Sequence, residues 1–381
     1  MSVSFDFLDS CQSLLDARRV DSHARALQSA VAPHATVVDI GTGLGVFALL
    51  ACRHGAGKVY AIDSRPMIHL AREVAAANGC ADRIEFIEDD PRRVTLPERA
   101  DVIVCDIRSV LPEFQVPVMI DARRRLLAPG GTLIPRSDRM YAAVVHSPHR
   151  HDALVGIWAR HPQGLDMEAA HRRSADAWVE QRFAPDELVS EAVCWATIDY
   201  RTQDVNDIVG SVESTVTNCV SGHGLCVWFE ANVGDGAVFS NRPQPQPSPY
   251  TAAFFPWPEA VPLNEGDSVA VLFEGNLAPG GYRWRWQTTV RSRTGDVRIQ
   301  FEQDTARHAE SGETTCALGS AVRPHPSRQE NLRVDRHALV AMDRGVTIGT
   351  IAQDLLDTFP RRFGGRGEAL TYVGSLSQRY G

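Results

Sequence analysis

The stretch Val37-Val38-Asp39-Ile40-Gly41-Thr42-Gly43-Leu44-Gly45 decides how the chain is read. Thr36–Ile40 is apolar and β-branched and reads as a buried strand, while Val46–His54 carries helical periodicity. The glycines between them permit a sharp turn and a close approach of backbone to a ligand. Working outward, the alternation recurs. A strand over Lys58–Ile62 ends in Asp63, a helix spans Pro66–Asn78, and a strand over Ile84–Ile87 runs toward Asp90. Another strand, Ala100–Cys105, ends in Asp106; a helix near Val116–Leu127 leads through the Pro129–Gly131 turn to a strand at Thr132–Pro135. Alternation at these lengths predicts a parallel sheet with helices on both faces, preceded by an amphipathic helix over 12–32.

Acids punctuate the strand ends. Asp63 is placed to accept both hydroxyls of a ribose, and Asp90 to accept from an adenine amino group. Gly41, Gly43 and Gly45 suit a nucleoside ligand, but Val46 stands where a dinucleotide fold requires its third glycine. Asp39, just before the loop, suits an ammonium or sulfonium better than a pyrophosphate. The pattern therefore favours S-adenosylmethionine over a dinucleotide.

After about residue 138 the grammar changes to short alternating strands: Met140–Val145, Glu191–Asp199, Glu213–Val216, Gly224–Val233, Ser268–Phe273 and Tyr282–Val290. These predict an antiparallel β domain, sandwich or barrel. Within it, 155–188 reads as helical and contains Trp158 and Trp178, and Trp284 and Trp286 alternate on one strand as core or outer-face residues. The expected division is 1–137, a cofactor-binding α/β domain; 138–310, the β domain; 311–330, a polar linker; and 331–381, a small helical module with Thr347 capping a helix.

Composition excludes several classes. There are 39 Lys plus Arg against 47 Asp plus Glu, a net charge of −8, and no basic block, so nothing marks a nucleic-acid binder. Lys58 is the sole lysine, a skew that reads as coding bias. No apolar stretch is long enough for a membrane span. The N-terminus MSVSFDFLDS lacks a basic n-region, and the cysteines form no CxxC pair, so the expectation is a cytoplasmic protein with no metal site. His146, His149 and His151 read as surface histidines.

The motifs DIGTGLG (39–45), YAID (60–63), EDDP (88–91) and LLAPGGTLIP (126–135) resemble those of class I S-adenosylmethionine-dependent methyltransferases. With Leu15-Asp16, Arg19, His23 and Ala26, the chain from about residue 14 to 300 resembles the protein arginine methyltransferase family. The resemblance implies that Arg19 holds the cofactor's carboxylate, that Asp39 and Gly41 face its methionine part, and that Asp63 takes the ribose. It further implies S-adenosylhomocysteine as product, a β-barrel, a helical dimerisation arm over Trp158–Glu187 and a homodimer. The run His337–Phe359 is similar to PqqD-type winged-helix proteins, which implies a peptide substrate delivered by a leader segment; a helical cap that completes the fold is the alternative.

The chain departs from the family where substrate would bind. The family clamps a guanidinium with two glutamates; here Asp106 and Glu113 match them, and Arg108 has entered the loop. The family's Thr-His-Trp motif falls in Ser248–Ala253, which has neither His nor Trp. Arg108 either pairs internally with Glu113 or Asp106, binds a substrate carboxylate, or faces solvent. Asp106 is the first candidate for orienting the nucleophile and Glu113 the second. Three readings follow: a methyltransferase acting on a peptide or protein side chain, including tailoring of a ribosomally made peptide; the same fold acting on a small metabolite such as a free amino acid; and a non-catalytic S-adenosylmethionine-binding scaffold.

Overall fold

The structure, a computed structural model, describes residues 16–160, 163–244, 251–279, 281–307, 328–343, 346–359, 366, 369–370, 372–374 and 376. Strand β1 (Thr36–Ile40) is buried at every position, as a strand covered on both faces must be. It lies at the centre of a parallel sheet with β2 (Lys58–Ile62), β3 (Ile84–Ile87), β4 (Ala100–Cys105) and β5 (Leu127–Ile134), in the order β3-β2-β1-β4-β5. Helices α1 (Ala17–Ala30), α2 (Val46–Arg53), α3 (Met67–Ala77) and α4 (Gln115–Arg125) accompany it. Strand order reverses between β1 and β4, and ligands of such sheets bind at the carboxyl edge beside that reversal. β5 begins earlier than expected: the Pro129–Gly131 turn is absorbed as an irregularity in its ladder with β4.

The second half is antiparallel. β7 (Val179–Gln181), β12 (Ala252–Leu263), β10 (Val220–Gly234), β6 (Ser137–Val145) and β8 (Val193–Asp199) pair in that order, with β11 (Ala237–Ser240) on β10. A second sheet runs β15 (Val297–Asp304), β14 (Gly281–Arg291), β13 (Ser268–Ala278), β9 (Ile208–Thr215). The expected barrel is thus barrel-like but not closed: among the described residues no ladder joins the two sheets. β12 carries Pro256, Pro258 and Pro262, which have no N–H to donate, and it pairs with β7 over only three residues. The inward side of β14 buries Tyr282, Trp284, Trp286, Thr288 and Val290, and Trp286 meets Phe255 edge-on at 4.9 Å.

The stretch 155–188 is only partly helical. A 3-10 turn (Gly156–Arg160), helix α6 (Glu168–Ala175) and then strand β7 occupy it, because 179–181 satisfy their backbone on β12 instead. Trp158 Nε1 ties the two helical pieces, donating to Leu154 O and Ser174 Oγ at 3.1 and 2.6 Å. Ile157 and Leu165 remain 50% and 61% exposed. Helix α5 (Pro148–Leu154) corrects one surface assignment: His151 is buried, its Nε2 bonded to Trp257 O at 2.9 Å.

Residues 321–381 form a separate unit. Helices α7 (Arg328–Asp343) and α8 (Ile348–Thr358) share a core of Val334, Ala338, Ile351, Ala352 and Leu355 with Ala369, Val373 and Leu376. Thr347 caps α8 by accepting from Thr350 N. No strand occurs among the described residues of this unit. Residues 311–327 of the expected linker lie outside the described residues, and 328–330 belong to α7.

Candidate functional site

The carboxyl edge of the parallel sheet gathers most of the expected residues. Asp39, near the end of β1, is 1% exposed, and its Oδ2 accepts from Thr42 Oγ1 at 2.6 Å and Ala48 N at 3.0 Å. Burial pushes its carboxyl up to about 7, against the pull of those hydrogen bonds. A cation beside it would favour the charged form. Gly41 and Gly43 have φ of 73° and 53°, in the left-handed region, and Gly45 follows at 80°. A Cβ added to Gly41 would lie 2.1 Å from Ile107 Cγ2, whereas one on Gly43 would meet nothing nearer than Arg65 Nη2 at 3.9 Å. Asp63 Oδ2 accepts from Gly43 N at 2.9 Å, and the Arg65 fork donates to both Asp63 oxygens, Nε to Oδ1 and Nη2 to Oδ2. A bare glycine backbone, a buried acid that a cation would ionise and a second acid one strand over fit S-adenosylmethionine. Asp90 is turned into its own loop, where it accepts from Arg92 N, Nε and Nη2.

Beside this cradle lies a buried ionic cluster. Arg19, on α1, is bonded through Nε to Asp106 Oδ2, and its guanidinium lies 4.9 Å from the Phe47 ring centre. His23, one turn on, stacks on Phe47 at 4.6 Å and donates from Nδ1 to Arg19 O; its Nε2 is buried without a hydrogen-bond partner, 3.9 Å from Asp106 Oδ2. Arg108 pairs inward: Nε with Asp106 Oδ1 at 2.7 Å and Nη1 with Asp138 Oδ2 at 2.7 Å. Tyr200 OH donates to that same Asp138 oxygen at 2.6 Å, and Phe229 lies under the Arg108 guanidinium at 4.6 Å. Burial alone would raise the Asp106 carboxyl, but Arg19 and Arg108 outweigh it and hold it below the usual carboxylate range. Arg108 Nη2 and Asp138 Oδ1 are buried with no hydrogen-bond partner.

Glu113 has a different setting. The structure does not bring it to Asp106 or Arg108; its Oε1 accepts from Trp284 Nε1 at 2.5 Å, across from β14. No described cation pairs with it, and burial pushes its carboxyl up to about 7. Of the stretch expected to replace Thr-His-Trp, Ser248–Tyr250 lie outside the described residues; Thr251 Oγ1 donates to Glu180 at 2.8 Å.

Asp138, Tyr200, Phe229 and Trp284 were missed as site residues. Asp138 alone left a signal: it shares the inward face of β6 with Met140, Ala142 and Val144, where an acid demands a buried partner.

Comparison with known proteins places these features in context. Residues 37–131 match the methyltransferase domain family. Protein arginine N-methyltransferase PRMT10 of Oryza sativa subsp. japonica is 37% identical over 322 residues, covering 75% of this chain and 81% of its own. Arginine N(omega)-methyltransferase of Streptomyces achromogenes subsp. streptozoticus is 28% identical over 268 residues, covering 68% and 73%. The chain spans about half of some longer relatives, 53% of one from Arabidopsis thaliana. In fold it is similar to the Trypanosoma brucei PRMT1 enzyme-prozyme complex with AdoHcy, with a TM-score of 0.71 and 19% identity over 77% of this chain and 96% of that one.

Proposed function

Because the chain belongs to the protein arginine N-methyltransferase family, we propose that it methylates a nitrogen on a peptide or protein side chain. Its cofactor is S-adenosylmethionine and its spent product S-adenosylhomocysteine. The observation that carries the substrate reading is the pair of acids after β4: Asp106 is saturated by arginines, while Glu113 pairs with no cation among the described residues.

When bound, the cofactor supplies an electrophilic methyl group on a sulfonium. In the proposed site Arg19 holds its carboxylate, Asp39 and Gly41 its methionine part, Gly43, Gly45 and Asp63 the ribose side, and Asp90, on releasing the exposed Arg92 that now engages it, the adenine. Asp106 and Arg108 fix Arg19 and wall the nucleophile's path. Glu113 Oε2, opposite the oxygen that Trp284 occupies, receives the proton the nitrogen sheds. Beyond that, transfer needs proximity and alignment. We assign the cofactor to 1–137 and substrate alignment to 138–310.

The finer reading is a cytoplasmic homodimer that tailors a ribosomally made peptide. Exposed Ile157 and Leu165 support the arm as its contact, and the similarity of His337–Phe359 to leader-binding modules supports delivery through 331–381. Removing 331–381 should abolish turnover of a leader-bearing peptide and spare the same peptide without its leader. A second reading, a free amino acid as substrate, is favoured by the Streptomyces relative, whose name specifies arginine and not protein arginine. The cofactor site is tested by calorimetry with S-adenosylhomocysteine: binding should vanish in Asp63→Ala/Gly43→Val, and unchanged affinity would sink the assignment.

A further inference from the structure

The family resemblance gives Asp106 and Glu113 the grip on a substrate guanidinium, yet both oxygens of Asp106 are already taken by the chain's own arginines, Oδ1 by Arg108 and Oδ2 by Arg19. Arg108 is held on its far side by Asp138, itself fixed by Tyr200, and rests on the Phe229 ring. Only 6% of its side chain is exposed. A planar guanidinium bracketed by two carboxylates over an aromatic face has the environment of a filled arginine site. A second guanidinium entering beside it would find both Asp106 oxygens engaged and the charges of Asp106 and Asp138 already balanced by Arg19 and Arg108, which leaves nothing there to compensate its own charge.

Resting on the reading of this site as a nitrogen methyltransferase, we propose that Arg108 is its specificity-determining residue: an internal occupant of the guanidinium position that excludes arginine side chains and admits a nitrogen uncharged when it attacks, such as an imidazole. The chemistry balances without a further reactant. The nitrogen's lone pair forms the N–C bond as the C–S bond breaks, the released pair staying on sulfur. The methylated ring, now cationic, gives its N–H proton to Glu113 Oε2. A neutral nucleophile generates its charge next to Glu113, the one carboxylate of the pair that no described cation compensates.

The test uses the full-length chain saturated with S-adenosylhomocysteine and two peptides identical except for one His or Arg. Calorimetry should show the wild type binding the histidine peptide at least tenfold more tightly. With S-adenosylmethionine instead, only the histidine peptide should gain the mass of a methyl group. In Arg108→Leu/Asp138→Asn, which removes the internal cation together with its partner's charge, affinity for the arginine peptide should rise at least tenfold. An unchanged preference in that variant, once it binds S-adenosylhomocysteine and melts as the wild type does, overturns the proposal. If the variant does not fold, the wild type decides alone: equal binding of the two peptides, or methylation of the arginine peptide, overturns it. Absence of S-adenosylhomocysteine binding by the wild type would instead overturn the underlying catalytic reading.

Discussion

Asp106 and Glu113 stand on the same loop, yet their surroundings push them in opposite directions. Asp106 lies under two guanidiniums, and its carboxyl is held below the ordinary range; Glu113 meets a single indole N–H, and its carboxyl is pushed up to about 7. Sequence alone ranked Asp106 first as the residue that handles the nucleophile. We propose the reverse order. A carboxylate saturated by arginines can neither take a proton near neutrality nor grip another cation, so it is a fixed strut. A carboxylate poised near neutral pH is suited to proton transfer. Loop position nominated both residues, and the neighbours on β6, β14 and α1 give them different surroundings.

The largest effect should come from breaking the strut. Arg108→Leu alone strands Asp138 without its cation in a buried cluster, and a broken buried pair costs about 3–5 kcal/mol; urea unfolding measures it. Replacing Arg108 and Asp138 together should cost clearly less, and equal losses would mean the cluster is not acting as a pair. Glu113→Gln should do the reverse, sparing stability and S-adenosylhomocysteine affinity while lowering turnover roughly 10²–10⁴-fold. Retained turnover would return the proton to Asp106 or to water.

pH separates the two acids by sign. With a folded value raised to about 7, Glu113 must lose its proton to act, so kcat/KM should climb through about pH 7 and then level. Trp284→Phe removes a donor that favours the carboxylate, so the rising limb should move to higher pH; a merely structural tryptophan would leave it in place. Stability follows the same division. Asp106, depressed on folding, contributes stability above its unfolded value of about 3.9, and that contribution is lost as pH falls toward its folded value. Glu113, raised on folding, favours the fold below its unfolded value of about 4.3, and that contribution is lost as pH rises toward 7. Asp106→Asn and Glu113→Gln should therefore tilt the stability–pH curve in opposite senses.

The parallel sheet was legible because its strands are apolar on both faces and its turns are marked by glycine and proline; β1, β2, β3 and β4 fall where the periodicity puts them. β12 was not, since Pro256, Pro258 and Pro262 argue against a strand that only its register with β10 reveals. The acids at the sheet's edge could be nominated one by one from their strand ends. The bond between Glu113 and Trp284 could not, because it joins residues 171 positions apart and depends on how β14 is registered against the loop. Arg108 was legible as a problem but not as a solution, since its partner Asp138 comes from the other sheet.

The smallest effect concerns a third acid that an arginine also claims. Arg65 forks onto Asp63 through Nε at 3.0 Å and Nη2 at 2.9 Å, but unlike Arg108 its side chain is 42% exposed. Only the Arg65 end of the pair reaches solvent, Asp63 being buried; with that end screened the pair is worth about 0.2–1 kcal/mol, so it can yield where the fully buried cluster cannot. A ribose seated on Asp63, as proposed, would compete with that fork, and Arg65→Ala removes the competition in advance. S-adenosylhomocysteine should then bind up to about fivefold more tightly by calorimetry, the upper end of what such a pair energy converts to. Weaker binding in Arg65→Ala would mean that Arg65 itself contacts the ligand, and the contrast between a displaceable arginine and a locked one would fail at this end.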